Sequence, residues 1–195
     1  TATQQTAFSF IAQLRGGLPD PIGGLLWFGV DDMNTTVYMP IYAGITRAPP
    51  SLAEGNGHIL EYSDDAAFWA FNQVAHLAYL RYSLTLPDIR RAQAELEARH
   101  LDFVPAVDRA ALALHEQDPA RARDFLTEVS VNLAQDTLRR WQDLYRFLMV
   151  KFLDGNIKQE QDGVFKTKPW GKYPIVEHPK YPEWWLRLIV EATGD

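Results

Sequence analysis

GGLLWFGVDDMNTTVYMPIYAG, residues 23 to 44, reads as two strands around a polar turn. Leu25 to Val30 is apolar at every position, so neither of its faces suits water. Such a strand belongs in the middle of a layered sheet. Asp31 to Asn34 supplies turn residues. Thr35 to Ile41 is expected as the partner strand, rich in β-branched and aromatic residues, with Pro40 marking its end or an edge. Upstream, Phe8, Phe10, Ala12 and Leu14 alternate with Ala7, Ser9, Ile11 and Gln13, so Thr6 to Leu14 reads as another strand. The glycines and prolines of Arg15 to Gly24 mark the connection. A meander of three antiparallel strands is the simplest arrangement. Few further strands are legible downstream. Either helices cover both faces of this sheet, or part of the sheet lies in sequence beyond these 195 residues.

Past the strands, Ala43 to Tyr62 is a long loop, interrupted by Pro49, Pro50, Gly55 and Gly57, of the kind that lines a site or covers a surface. Helices then dominate. Ser63 to Asp65 is an acidic start suited to the helix dipole, and the helix is expected to run to about Leu84. Phe68, Phe71, Ala75, Ala78 and Tyr82 share one face, while Trp69, Leu77 and Leu80 lie off it, which implies burial on most sides. Pro87 is read as opening the next helix, with Arg90, Arg91, Glu95 and Glu97 outward, and Pro105 as ending or kinking it. Asp118–Pro119 signals a further start, and Ala134, Leu138, Trp141, Tyr145, Leu148 and Phe152 form its stripe. Gly155 to Pro179 reads as irregular. Pro182 opens EWWLRLIVEA, which Gly194 stops. The class is α+β within a single region, strands and loop over 1–62 and mainly helix over 63–195.

The composition is that of a soluble globular protein, 47% hydrophobic with six tryptophans, so a bulky core is available. A net charge of −6 argues against nucleic acid or an anionic membrane as partner, since both call for a basic surface. No apolar run approaches the roughly 20 residues of a membrane span. The chain has no cysteine, which excludes disulfides, thiolate metal sites and a cysteine nucleophile within it.

The candidate sites are sparse. His58, His76, His100, His115 and His178 have no metal-ligand spacing, and His76 reads as a packed or surface side chain. DGNIKQEQDGVF places Asp154, Asn156 and Asp162 as a calcium loop would, but Gln159 and Phe165 stand where that loop needs glycine and glutamate. Asp31 and Asp32 follow a strand, where functional carboxylates occur, although turn chemistry accounts for them. GGLLWFG runs into a strand and is no phosphate cradle. Trp184–Trp185 reads as one buried and one rim ring.

The order of motifs carries more than any of them singly. TQQT followed by AFSFIAQLRGGLP, then IGGLLWFGVDD and YMPIYAG, then SDDAAFWAFNQVAHLAYLRYS, WQDLYRFLMVKFLDG and YPEWWLRLIVEATGD resembles the C-terminal part of the dipeptidase A and secernin group. These are N-terminal-nucleophile cysteine dipeptidases, related to penicillin V acylase and bile-salt hydrolase. The resemblance implies a partial αββα sandwich, in which the apolar strand faces helices on one side and a second sheet on the other. It implies a mechanism in which an N-terminal cysteine attacks an amide carbonyl with its own α-amino group as base, through an acyl-enzyme that water hydrolyses. It implies no cofactor and no metal. The nucleophile would lie upstream, because Thr1 falls where the family pattern is internal. Gln5, Thr6, Trp27 and Tyr42 match segments near the cleft and are the substrate-pocket candidates. The partners implied are a short peptide substrate and the N-terminal half of the same protein, with self-association as another way to cover an open sheet. A cytoplasmic and a periplasmic or secreted location both fit the bacterial-type family. A non-catalytic helical binding or interaction domain is the alternative.

Overall fold

The computed structural model describes residues 3–194. Strands β1 (Phe8–Leu14), β2 (Gly24–Val30) and β3 (Met39–Tyr42) form the expected antiparallel meander in the order β1-β2-β3. Phe10 pairs with Phe28, Ile11 with Trp27, Leu26 with Ile41 and Leu25 with Tyr42. Alternation along each strand then sends Phe8, Phe10, Leu26, Phe28 and Ile41 to one face and Ile11, Leu25, Trp27 and Tyr42 to the other. One turn of helix, α1 (Asp20–Gly23), interrupts the first connection. Helices α2 (Ala67–Leu80), α3 (Tyr82–Gln117) and α4 (Pro119–Phe152) follow.

The chain divides into two compact units, the first ending at Tyr145 and the second beginning at Arg146. The core of the first is built where the Tyr42 face meets helices. Ile22, Leu25 and Tyr42 pack with Val104, Val107 and Ala111 of α3 and Leu126 of α4. A second center of packing is Phe71 of α2, whose ring stacks on Trp141 of α4 with centroids 5.0 Å apart. Both rings are essentially inaccessible to solvent. Within the second unit, β4 (Ile157–Lys158) pairs with β7 (Val176–Glu177) and β5 (Glu160–Gln161) with β6 (Val164–Phe165). Lys151 and Glu160 form a largely buried ion pair at 3.2 Å, and Phe147 stacks on Phe165. Helix α5 (Glu183–Thr193) starts after Pro182 and stops at Gly194, which takes the left-handed conformation a helix end requires.

Several local readings need correction. Thr35 to Tyr38 is not strand. The Tyr38 N–H donates to Glu97 at 3.2 Å, its carbonyl accepts from His100 at 3.2 Å, and Gln93 donates to the carbonyls of Asn34 and Thr36. Side chains of α3 have replaced the strand partner. The helix expected to run to Leu84 breaks at Arg81, whose backbone is not helical, and Leu80 is exposed rather than buried. Pro87 and Pro105 both lie inside α3. An interior proline costs a helix about 3 kcal/mol locally. Burial of Ile89, Ala92, Val104 and Val107 along the same helix opposes that cost. Residues 155–179 carry four short strands where irregular chain was expected. Trp184 and Trp185 are both exposed, at 62% and 42%, so neither ring is the buried member of a pair.

Phe71→Ala removes a buried ring from a stack, and truncations of that kind typically cost about 3–5 kcal/mol. Tyr82 is only half-buried and pairs with Tyr79 near the surface. Denaturant melts are expected to show a clearly larger loss for Phe71→Ala than for Tyr82→Ala. Equal or reversed losses would remove Phe71 from the center of the fold.

Candidate functional site

The end of β2 holds two buried carboxyl groups. Asp31 is 2% exposed and Asp32 is fully buried. The Asp31 N–H donates to the Ala7 carbonyl at 3.0 Å, which extends the β1–β2 ladder by one bond. Its backbone then turns through a φ of 63°, in the left-handed region that aspartate tolerates better than most residues. Asp32 behaves as a turn residue. One carboxylate oxygen accepts from the Asn34 N–H at 3.0 Å and the other from the Tyr79 hydroxyl at 2.5 Å. The phenol so engaged is pushed up to about 12, first by that hydrogen bond and then by desolvation and the charge.

Asp31 differs. Asn72 of α2 donates to its Oδ1 at 3.3 Å, while Oδ2 is buried with no partner among the described residues. Desolvation outweighs the Asn72 hydrogen bond and holds its pKa above the ordinary carboxyl value. A buried, half-satisfied acid on a left-handed backbone is costly to stability. Such costs concentrate at functional sites. Turn chemistry explains the residue types here but not the burial.

Beside the pair, the sheet face opposite the Tyr42 core is concave. A groove of about 370 Å³ has Leu26, Phe28, Val30 and Ile41 as its floor, with Ile45 and Leu52 of the long loop and Phe68 of α2 as walls. Ala7 and Phe8 also line it. The long loop stays mostly irregular, with one 3-10 turn at Pro50–Leu52.

The four pocket candidates do not meet around one cavity. Gln5 is exposed ahead of β1, and the half-buried Thr6 bonds back to Thr3. Trp27 lies on the helix-facing side and donates its indole N–H to Gln13 at 2.9 Å. Tyr42 is buried in the core, its hydroxyl donating to Asp108 at 2.8 Å. Burial and that bond raise its pKa. Arg15 completes the network, pairing with Asp108 and donating to the Ile22 carbonyl at 2.5 Å. Every polar atom there has a partner, which is the mark of a structural clamp. Thr1 lies outside the described residues. His76 is exposed on α2 and contacts the Asn72 carbonyl. No group of side chains able to hold a metal ion occurs among the described residues, and none of their helices is long and apolar enough to cross a membrane. What sequence reasoning missed is the groove, because its walls come from residues up to about sixty positions apart. Its one local signal was the apolar run on β2.

The family model of Peptidase family C69 matches residues 1–95, a span that includes the groove, the acid pair and α2. A probable dipeptidase B of Streptococcus pyogenes serotype M1 is 21% identical over 133 residues. That alignment covers 67% of this chain and 26% of the relative, so the chain spans about a quarter of the protein it matches.

Asp31→Asn tests the cost of the buried acid. A raised folded pKa means that the unfolded chain ionizes first as pH rises. The stability this carboxyl contributes is therefore complete below about pH 4 and is lost as pH climbs through the folded value. Asparagine keeps the Asn72 bond, tolerates the left-handed backbone and carries no charge. Urea melts are expected to show the variant more stable than wild type at pH 7, with the gap closing toward pH 4. A gap that stays constant with pH would show that Asp31 is not held in its acid form by burial.

Proposed function

We propose, on the premise that residues 1–95 make this chain a member of peptidase family C69, the dipeptidase A-type cysteine peptidases, that it is the C-terminal part of an enzyme hydrolysing dipeptides through an N-terminal cysteine carried upstream. In that reaction the thiolate sulfur bonds to the amide carbonyl carbon and the C–N bond breaks. The leaving amine takes a proton relayed by the cysteine's own α-amino group, and water then cleaves the thioester to return the thiol. This chain has no cysteine and contributes walls to the cleft. Gln5 and Thr6, ahead of β1, and the loop after Tyr42 are the segments we expect nearest to substrate.

The single observation that carries this reading is the family match, and an open sheet is compatible with it. One face is packed on α3 and α4, while the other keeps Phe8 and Phe10 each 55% exposed. The outer edge of β1 has β2 as its neighbor on one side only. An unpaired edge and an uncovered apolar face are what a layered sandwich closes with further strands. We assign that closure to the N-terminal half, and no nucleic acid or cofactor enters the reaction.

The 195-residue chain alone is expected to release no amino acids from a dipeptide panel. Mixing it with the N-terminal half bearing the cysteine is expected to restore hydrolysis, and Cys→Ser in that half to abolish it. Turnover by the chain alone that survives repurification and disappears in Thr1→Ala would overturn the assignment of the nucleophile.

A further inference from the structure

We infer that the outer edge of β1 is a self-pairing surface. Two copies of this chain join through it as antiparallel strands, about a two-fold axis at Ile11. The ladder shows which backbone groups are free to do so. The Asp31 N–H donates to the Ala7 carbonyl and the Arg15 N–H to the Gly23 carbonyl, both at 3.0 Å. Both pairs continue the register in which Ser9 faces Gly29, Ile11 faces Trp27 and Gln13 faces Leu25. Bonded and non-bonded pairs alternate along an antiparallel ladder, so the odd-numbered residues of β1 are the ones that bond to β2. The N–H and carbonyl groups of Phe8, Phe10, Ala12 and Leu14 point the other way, and none of them has a partner among the described residues.

Nothing on the strand defends that edge. Phe8 to Leu14 carries no charge, no proline and no bulge, the devices that keep sheet edges apart. The strand is also its own complement. With Ile11 opposite Ile11 of the second copy, Phe8 meets Leu14 and Phe10 meets Ala12 as bonded pairs, so every outward donor and acceptor is used. The same register sets Ser9 beside Gln13, whose amide can donate because its oxygen is taken by the Trp27 indole. A slip of two residues either way would set Ile11 beside Ser9 or Gln13 and waste bonds at the ends. Ile11 is 57% exposed and lines a hollow of about 260 Å³ with Trp27 and Leu101, which puts apolar surface at the axis. A seam of seven residues is small for an interface, so the association is weak and concentration-dependent. The N-terminal half proposed above would compete for the same groups. Self-pairing therefore belongs to the chain without that half and does not rest on the peptidase reading.

Sedimentation equilibrium of the 195-residue chain is expected to show monomer and dimer in exchange. Ala12→Pro removes one outward N–H and leaves the bonds to β2 in place, and proline is tolerated at such an edge position. It is expected to weaken the dimer about tenfold or more, the equivalent of one or two lost hydrogen bonds, with the circular dichroism spectrum unchanged. The absence of native cysteine allows a sharper test. Opposed residues in a non-bonded antiparallel pair have Cα atoms about 4.5 Å apart, within disulfide reach. Under oxidation, Ile11→Cys is expected to cross-link into covalent dimers. Ser9→Cys is not, because its counterpart lies about 13 Å away along the second strand. Three results would overturn the inference: a monomer at every concentration, a dimer that Ala12→Pro leaves equally strong, or Ser9→Cys cross-linking as readily as Ile11→Cys. The last would mean that copies meet outside this register.

Discussion

The outer edge of β3 is closed by helix side chains, and the rest of the first unit depends on that closure. The Tyr38 N–H is taken by Glu97 and the Tyr42 N–H by Ser130, and between them Pro40 has no donor to satisfy. Thr127 accepts the Thr46 N–H at 2.9 Å just beyond the strand. An edge strand normally invites another strand. Here α3 and α4 supply the acceptors instead, which fastens the sheet to the helices at one side. The Arg15–Asp108–Tyr42 clamp fastens the connection between β1 and β2 to α3 as well. With those bonds made, only one face of the sheet can look toward α3 and α4.

The sheet that results is asymmetric. The β3 edge and the Tyr42 face are finished; the β1 edge and the Phe28 face are not. On the unfinished face, loop and helix α2 raise walls around a groove, and just past β2 in the chain Asp31 holds a buried acid in a strained backbone. Stability alone would favor an amide at that position. The same segment thus joins a costly acid to a concave apolar surface within the span that the peptidase family model matches.

Much of this was legible in the chain itself. The all-apolar Leu25 to Val30 identified a central strand, the turn at Asp31 and the alternation before Arg15 identified its neighbor, and Pro40 identified an edge. The ordered series of motifs pointed to a dipeptidase group, and a peptidase family model matches residues 1–95. Where local reading went astray, long-range partners had outweighed local preference. Thr35 to Tyr38 has strand-forming residues, yet Gln93, Glu97 and His100 take its backbone bonds. Pro87 and Pro105 discourage helix, yet α3 continues through both on the strength of its buried face. Trp184 and Trp185 have the spacing of a packing helix, yet both rings are exposed.

Sequence alone determined the alternation of β1, the apolar central strand and the absence of any cysteine in these 195 residues, because these follow from residue type and spacing along the chain. Only the tertiary structure decided which face of the sheet is covered, that Asp31 and Asp32 are buried rather than solvated, and where the groove lies. Each of those depends on contacts between residues far apart in sequence. Asn72 reaches Asp31 across 41 positions and Ser130 reaches Tyr42 across 88, and no local pattern encodes such a meeting.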